Sequence, residues 1–352
     1  MILYIALALT IAICAELSVK LKSKLLRVVN IIIIIVLPSF LFAVRYDIGT
    51  DYYNYLAIYN RAKDNIESRI EWGYYAINSV VASLGGSAQV AFFIIGLIMF
   101  SFLYLAIRHY NNILSPGLAM FVFMLMYYQM SFNTIRQVIT MTIVLYSIRF
   151  IQERKLFKFL FIIFIASSFH NSAWIFLPIY FLYPFIKKQK KVFARVLVYG
   201  SIVLIIIGLD TILAPVLSNV ESLDYYLRYL DEGDMGTSLG FVIRSLPFII
   251  IGIYLSPRLR SNTYFTWFFF LYIISILMKF THIVGANYIS RVAWNFEVIL
   301  VLLVPLYIRE LNKKREFLVS WLLICYIVIH WWYIYIYAGS HETVPYQWIF
   351  NQ

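Results

Sequence analysis

The side chains able to do chemistry in this chain are gathered in four short polar stretches, each set among strongly apolar runs. The first, RYDIGTDYYNY at 45–55, directly follows VVNIIIIIVLPSFLFAV. Arg45 ends that run, where an arginine either snorkels to the interface or takes a partner. Asp47 and Asp51 offer carboxylates to arginines or to sugar hydroxyls, and Gly49 suits a tight turn with positive φ or a close backbone approach. For Tyr46, Tyr52, Tyr53 and Tyr55 the first reading is an aromatic belt at headgroup level, and the second is stacking on sugar rings. The second stretch, NTIRQ at 133–137, opens an apolar run with Asn133, Arg136 and Gln137. A cation at a helix start meets the unfavourable end of the dipole, so Arg136 needs an anionic partner, an internal aspartate or a phosphate. Its planar fork of donors holds phosphate oxygens at two points. The third, SFHNSA at 168–173, sets His170 in a polar turn, where a histidine is either structural or a general base. The fourth, NYISR at 287–291, ends on Arg291, while Arg244 and Lys279 lie within apolar runs where a charge is partnered or functional.

Several chemistries have no signature here. There is no cysteine pair, no His-Glu-x-x-His and no Asp-x-Asp doublet of the kind that holds Mg²⁺ for nucleotide-sugar transfer. Glycine-rich nucleotide loops are missing too, so no metal and no cofactor is expected. His282 and His330 are weaker candidates than His170, and His341 falls in a polar tail. Several arginines, few carboxylates and one histidine suit an anionic, lipid-linked substrate.

The elements that must position these residues follow from composition. The chain has 352 residues, 62% hydrophobic and 13% charged, and a soluble globule could not cover that apolar surface. It reads as an integral membrane protein of the all-α class, a polytopic helical bundle whose helices satisfy their own backbone in lipid. At roughly 20 residues per crossing we expect about 12 transmembrane helices, with a range of about 10–13. They fall near 2–19, 28–44, 88–107, 116–132, 137–151, 156–169, 172–186, 192–209, 238–256, 263–280, 292–308 and 317–338. The segment 71–84 is amphipathic and suits an interfacial or re-entrant placement. Cys14 and Cys325 lie inside expected spans, so no disulfide framework is indicated. MILYIALALTIAICAEL lacks a basic start and a small-residue cleavage site, and reads as a retained first span. The net charge of +12 is spread as clusters between spans, which argues topology and against nucleic acid.

Alternate joints collect 20 of the 29 lysines and arginines, including KLKSKLLR, the stretch 149–158, KKQKK and RELNKKR. The positive-inside rule places these in the cytoplasm and both termini outside. The chain is then a single transmembrane domain over 1–352, with an outward loop at 45–87 containing the amphipathic segment and an outward acidic loop at 210–237. All four polar stretches reach the outer face.

The ordered series RYDIGTDYYNY, Glu71 with Tyr74 and Tyr75, SFNTIRQVITMTIVLYSI and KLFKFLFIIFIASSFHNSAWIFLPIYFL, over roughly 40–185, resembles the EpsG family of bacterial polysaccharide polymerases. That family is related in role to the O-antigen polymerase Wzy. The resemblance implies an inner-membrane enzyme of O-antigen or exopolysaccharide synthesis, acting at the periplasmic or outer face on oligosaccharides carried by undecaprenyl pyrophosphate. The growing chain would pass to the non-reducing end of the next lipid-linked repeat, with membrane lipids around the enzyme and a chain-length-determining co-polymerase as partner. Carried over by motif, it implies that Arg45, Asp47, Gly49, Thr50, Asp51, Tyr52, Asn133, Arg136, Gln137, His170 and Ser172 line the cavity. Arg244 and Arg291 join them on topology alone. In that reading Arg136, with Arg45 or Arg291, holds the pyrophosphate, and His170 orients or deprotonates the acceptor hydroxyl. Asp51 is the alternative base, and Asp47 and Asp51 position the sugar or Arg45. An O-antigen ligase shares this chemistry. A lipid-linked oligosaccharide flippase would instead need polar groups reaching both faces.

Overall fold

The computed structural model describes residues 1–66, 70–188, 235–280 and 291–351. Among them the fold is all-helical with no strand, and a single isolated bridge pairs Arg45 with Trp348. The chain divides into two compact units, Met1–Leu177 with Val304–Gln352, and Pro178–Leu303. The expected crossing at 192–209 lies outside the described residues, as does most of the acidic loop 210–237.

In the first unit, α1 (Ile2–Lys20), α2 (Lys24–Ala43), α5 (Ala88–His109) and the stretch Phe317–Tyr337 are long and apolar enough to cross a membrane. Their exposed side chains, such as Leu9, Ile13, Ile32, Val90, Trp321 and Leu322, are those a lipid phase would solvate. The centre is α7 (Ile135–Gln152), buried on nearly every face between α5 and α8 (Leu156–Ser167). A helix with no single apolar stripe and burial on most sides belongs inside a bundle. Beside α1 lies α6 (Pro116–Met126): Ser115 caps it by accepting from Leu118 N, and Glu16 of α1 accepts from Ser115 Oγ at 2.7 Å and Gly117 N at 3.1 Å.

Several expected spans are interrupted. The run 116–132 is helical only to Met126, and Tyr127–Thr134 continues as turns and a 3-10 turn over Met130–Phe132. The run 172–186 begins as a 3-10 segment, Asn171–Phe176, before α9 (Leu177–Lys188). Non-helical backbone at membrane depth is tolerated where protein covers it, and Met130, Phe132 and Asn133 are buried. The stretch 45–87 is not a plain loop. It folds into α3 (Tyr52–Lys63) and α4 (Trp72–Ser83), which pack on one another. The amphipathic segment is α4, burying Gly73, Tyr74, Asn78 and Val81.

In the second unit, α10 (Met235–Leu255) carries Arg244 and α11 (Thr263–Phe280) carries Lys279; the expected span 292–308 breaks into α12 (Trp294–Glu297), in that unit, and α13 (Leu300–Lys313), which belongs to the first unit from Val304 on.

Candidate functional site

The loop 44–51 leaves α2 and is shaped from three directions. Arg45 is wholly buried. Its guanidinium donates to the Phe42 and Phe132 carbonyls and lies over the rings of Phe42, Phe92 and Phe132, 4.4, 4.9 and 5.0 Å from their centroids. Ring faces and carbonyl dipoles stand in for a carboxylate, and burial pulls its pKa down from the usual arginine range. Arg45 is thus neither a snorkelling side chain nor the partner of Asp47 or Asp51. Asp47 is exposed with φ 48°, and Asp51 precedes α3, accepting from Asn54 Nδ2 at 3.1 Å. Gly49 has φ 95°, its N–H donates to the Glu342 carbonyl, and a β-carbon there would collide with the Asn133 carboxamide oxygen. Thr50 is exposed and Tyr52 is buried.

Asn133 faces that loop from the turn before α7. Its Oδ1 accepts from Asp51 N at 3.5 Å, and its Nδ2 donates to the His341 carbonyl at 3.1 Å and to His341 Nδ1 at 2.9 Å.

One turn on, Arg136 pairs with Glu71, the residue before α4. The other Glu71 oxygen accepts from Asn171 N at 3.4 Å. Glu71 therefore ties the start of α7 to the turn that holds His170. The Tyr55 phenol interacts electrostatically with Arg136, and its ring tilts on Tyr74 at 5.8 Å. Burial raises both phenols above their ordinary range, so they stay neutral. Gly73 lets α4 dock here: its N–H donates to the Ser168 carbonyl at 2.8 Å, where a side chain would strike Ser168. Arg45 Nε, Arg136 Nε and Tyr74 Oη are buried without a hydrogen-bond partner among the described residues. Tyr74 interacts electrostatically with both arginines.

His170 caps the 3-10 segment that follows α8. Ser172 N donates to His170 Nδ1 at 3.2 Å, and Ser172 Oγ lies 2.8 Å from the same nitrogen. A backbone N–H can only donate, so Nδ1 is an acceptor and the neutral ring carries its proton on Nε2. Gln137 Nε2 donates to Ser172 Oγ at 3.2 Å, which completes a chain from α7 to the imidazole.

The first unit thus brings together Arg45, Asp47, Gly49, Thr50, Asp51, Tyr52, Asn133, Arg136, Gln137, His170 and Ser172. Arg244 and Arg291 belong to the second unit, where Arg244 lies near the buried Lys279–Glu297 ion pair and Arg291 is exposed. Residues 287–290 of the fourth stretch, and His282, lie outside the described residues. Of the four tyrosines at 46–55, Tyr52 and Tyr55 point inward, and only Tyr53 has the exposure of a belt residue. Sequence reasoning had not placed Tyr55, Glu71, Tyr74 or His341 in the site. Glu71 and Tyr74 had a signal in the ordered motif series; His341 had none.

The model of the EpsG family matches residues 28–348. The chain belongs to the EpsG family. EpsG proteins are Wzy-type polymerases, and the match takes in every site residue named above, from Arg45 to His341, well beyond the 40–185 stretch. No curated protein and no solved structure matches the chain. This EpsG protein is accordingly a membrane protein with a polysaccharide polymerase role.

Proposed function

We propose that this EpsG protein joins lipid-linked repeat units, moving a glycan chain from undecaprenyl pyrophosphate to the non-reducing end of the next lipid-linked repeat. We place the reaction at the periplasmic or outer face of the bacterial inner membrane, in a bundle of about twelve crossings with both termini outside, the arrangement that the positive-inside rule favours. The observation that carries the reading is the Arg136–Glu71 pair beside His170 in a member of this family. It sets a cation with a removable anionic partner next to a proton-bearing imidazole.

The acceptor hydroxyl attacks the anomeric carbon, the bond from that carbon to the phosphate oxygen breaks, and undecaprenyl pyrophosphate leaves. Arg136 exchanges Glu71 for the pyrophosphate, and the fork geometry makes that exchange two-pointed. Because Nδ1 of His170 accepts from Ser172, the neutral imidazole keeps its proton on Nε2 and donates a hydrogen bond from there to the departing oxygen, which favours a charge-stabilising donor role over the base role. Asp51 then takes the acceptor's proton, with its backbone N–H held by Asn133. Arg45 has no exposed surface and serves the loop from within, while Asp47, Thr50 and Tyr53 present polar atoms to sugar. Arg244 and Arg291 are further candidates for the pyrophosphate or its lipid-side neighbours, and a co-polymerase would set chain length.

Incubating purified protein with lipid-linked repeats and resolving products by size tests the reading. A ladder of repeat multiples is expected; unchanged substrate would overturn it.

A further inference from the structure

Residues Ser340–Ile349 form a strap laid across the loop 44–51, and its bonds reach the site itself. Tyr46 N donates to the Gln347 carbonyl at 3.1 Å, Ile349 N to the Val44 carbonyl at 3.0 Å, and Gly49 N to the Glu342 carbonyl at 3.2 Å. Thr343 is fully buried, its hydroxyl accepting from Gln129 Nε2 and its carbonyl from Tyr4 Oη, both at 2.7 Å. At the start of the strap Gly339, His341 and Glu342 all take positive φ, 61°, 70° and 48°. Two adjacent non-glycine residues held in that region need a surrounding structure that over-determines them.

The hydrogen bonds around Asn133 have one consistent arrangement. The His341 carbonyl can only accept, so the Asn133 NH₂ faces the strap and Oδ1 faces Asp51 N. His341 Nδ1, 2.9 Å from the same NH₂, must then accept as well.

We propose that His341 is a positioning residue of the polymerase site, fixing the Asn133 carboxamide from the strap and, through it, the loop 49–51 that carries Asp51. The inference rests on the reading of Asp51 as the base. It makes the strap a working wall of the site.

Three variants separate the side chain from the backbone. Asparagine tolerates positive φ and can offer an oxygen near the place of Nδ1, glycine keeps the backbone without the acceptor, and alanine loses both. At equal membrane abundance, His341→Asn should keep most of the polymerising activity. His341→Gly and His341→Ala should lose about tenfold in kcat with KM little changed, the pattern of a misaligned reacting group. In parallel, His341→Gly should speed amide exchange at Gly49 and Asp51 relative to the starting protein. A glycine variant with full kcat, or with unchanged exchange at those two amides, overturns the proposal. Absence of any product ladder from the unsubstituted protein overturns the polymerase reading instead, and the exchange measurement still decides the role of His341.

Discussion

Glu71 and Arg136, 65 positions apart, form an ion pair whose carboxylate also receives the Asn171 N–H. Three of the motif segments therefore meet at one side chain, with Arg136 29% and Glu71 12% exposed. The pair is within reach of solvent, unlike Arg45, and that difference decides which arginine can exchange partners.

Arg136→Lys should abolish long product while leaving membrane abundance near that of the unsubstituted protein. A lysine keeps the charge but loses the two-point fork. Product sizing beside a quantitative blot checks this, and a normal ladder from the lysine variant would remove Arg136 from the pyrophosphate.

Glu71→Gln leaves Arg136 without its countercharge and should lower stability by about 1–3 kcal/mol, the usual penalty for a buried polar group losing its partner. Thermal unfolding in detergent is the measurement. Restored stability on adding an undecaprenyl pyrophosphate analogue is expected if that anion takes the place of the carboxylate.

Ser172→Ala removes the hydroxyl between Gln137 and His170 but keeps the backbone donor to Nδ1. The ring keeps its tautomer and loses part of its orientation, so kcat should fall by about tenfold, the equivalent of one ordinary hydrogen bond. His170→Ala should cost far more, and equal losses in the two variants would contradict the donor role.

Gly49→Ala forces a side chain into positive φ and against Asn133. The backbone term alone is about 1–2 kcal/mol. Lower melting temperature and loss of polymer together are the expected result, and a silent substitution would mean that the loop tolerates another shape.

Strap docking should depend on pH through His341. Its neighbours are Asn133, the Asp51 carboxylate, which favours the proton, and the Tyr335 ring at 6.0 Å. Burial outweighs Asp51 and pushes the imidazole pKa down. The undocked ring, with a value of about 6.5, then binds protons more readily than the docked one. Docking is unaffected above that value, weakens as pH falls below it, and levels off once the docked pKa is passed. Proteolysis of the 340–350 segment in native membranes should therefore quicken between about pH 7 and pH 5. It should do so less in His341→Asn.

Hydropathy was enough to read helices as the element type, since a chain this apolar has few other ways to satisfy its backbone in lipid. It could not show that 116–132 stops being helical at Met126, because Tyr127–Phe132 carries no Gly, Pro or charge to mark a break, and tertiary contacts pay for its turns. The need of Arg136 for an anion was legible from its place at a helix start, and the carboxylate proved to be Glu71. Arg45 was not legible, since ring faces and carbonyls leave no complementary charge to find. His341 was invisible for another reason: its bond to Asn133 spans 208 positions and sits in a segment with no periodicity.

The strap has a consequence for how this protein comes into being. Tyr4 and Thr343 bond across 339 positions, and the loop at 44–51 takes its shape from residues almost three hundred positions later. Contacts of that sequence separation carry the greatest loop-closure cost and form late. Helices can insert and pair well before the loop around Gly49 has anything to lean on. A half-assembled chain would therefore lie in the membrane without a competent centre, and the polymerase role would begin only after the strap had docked on the loop.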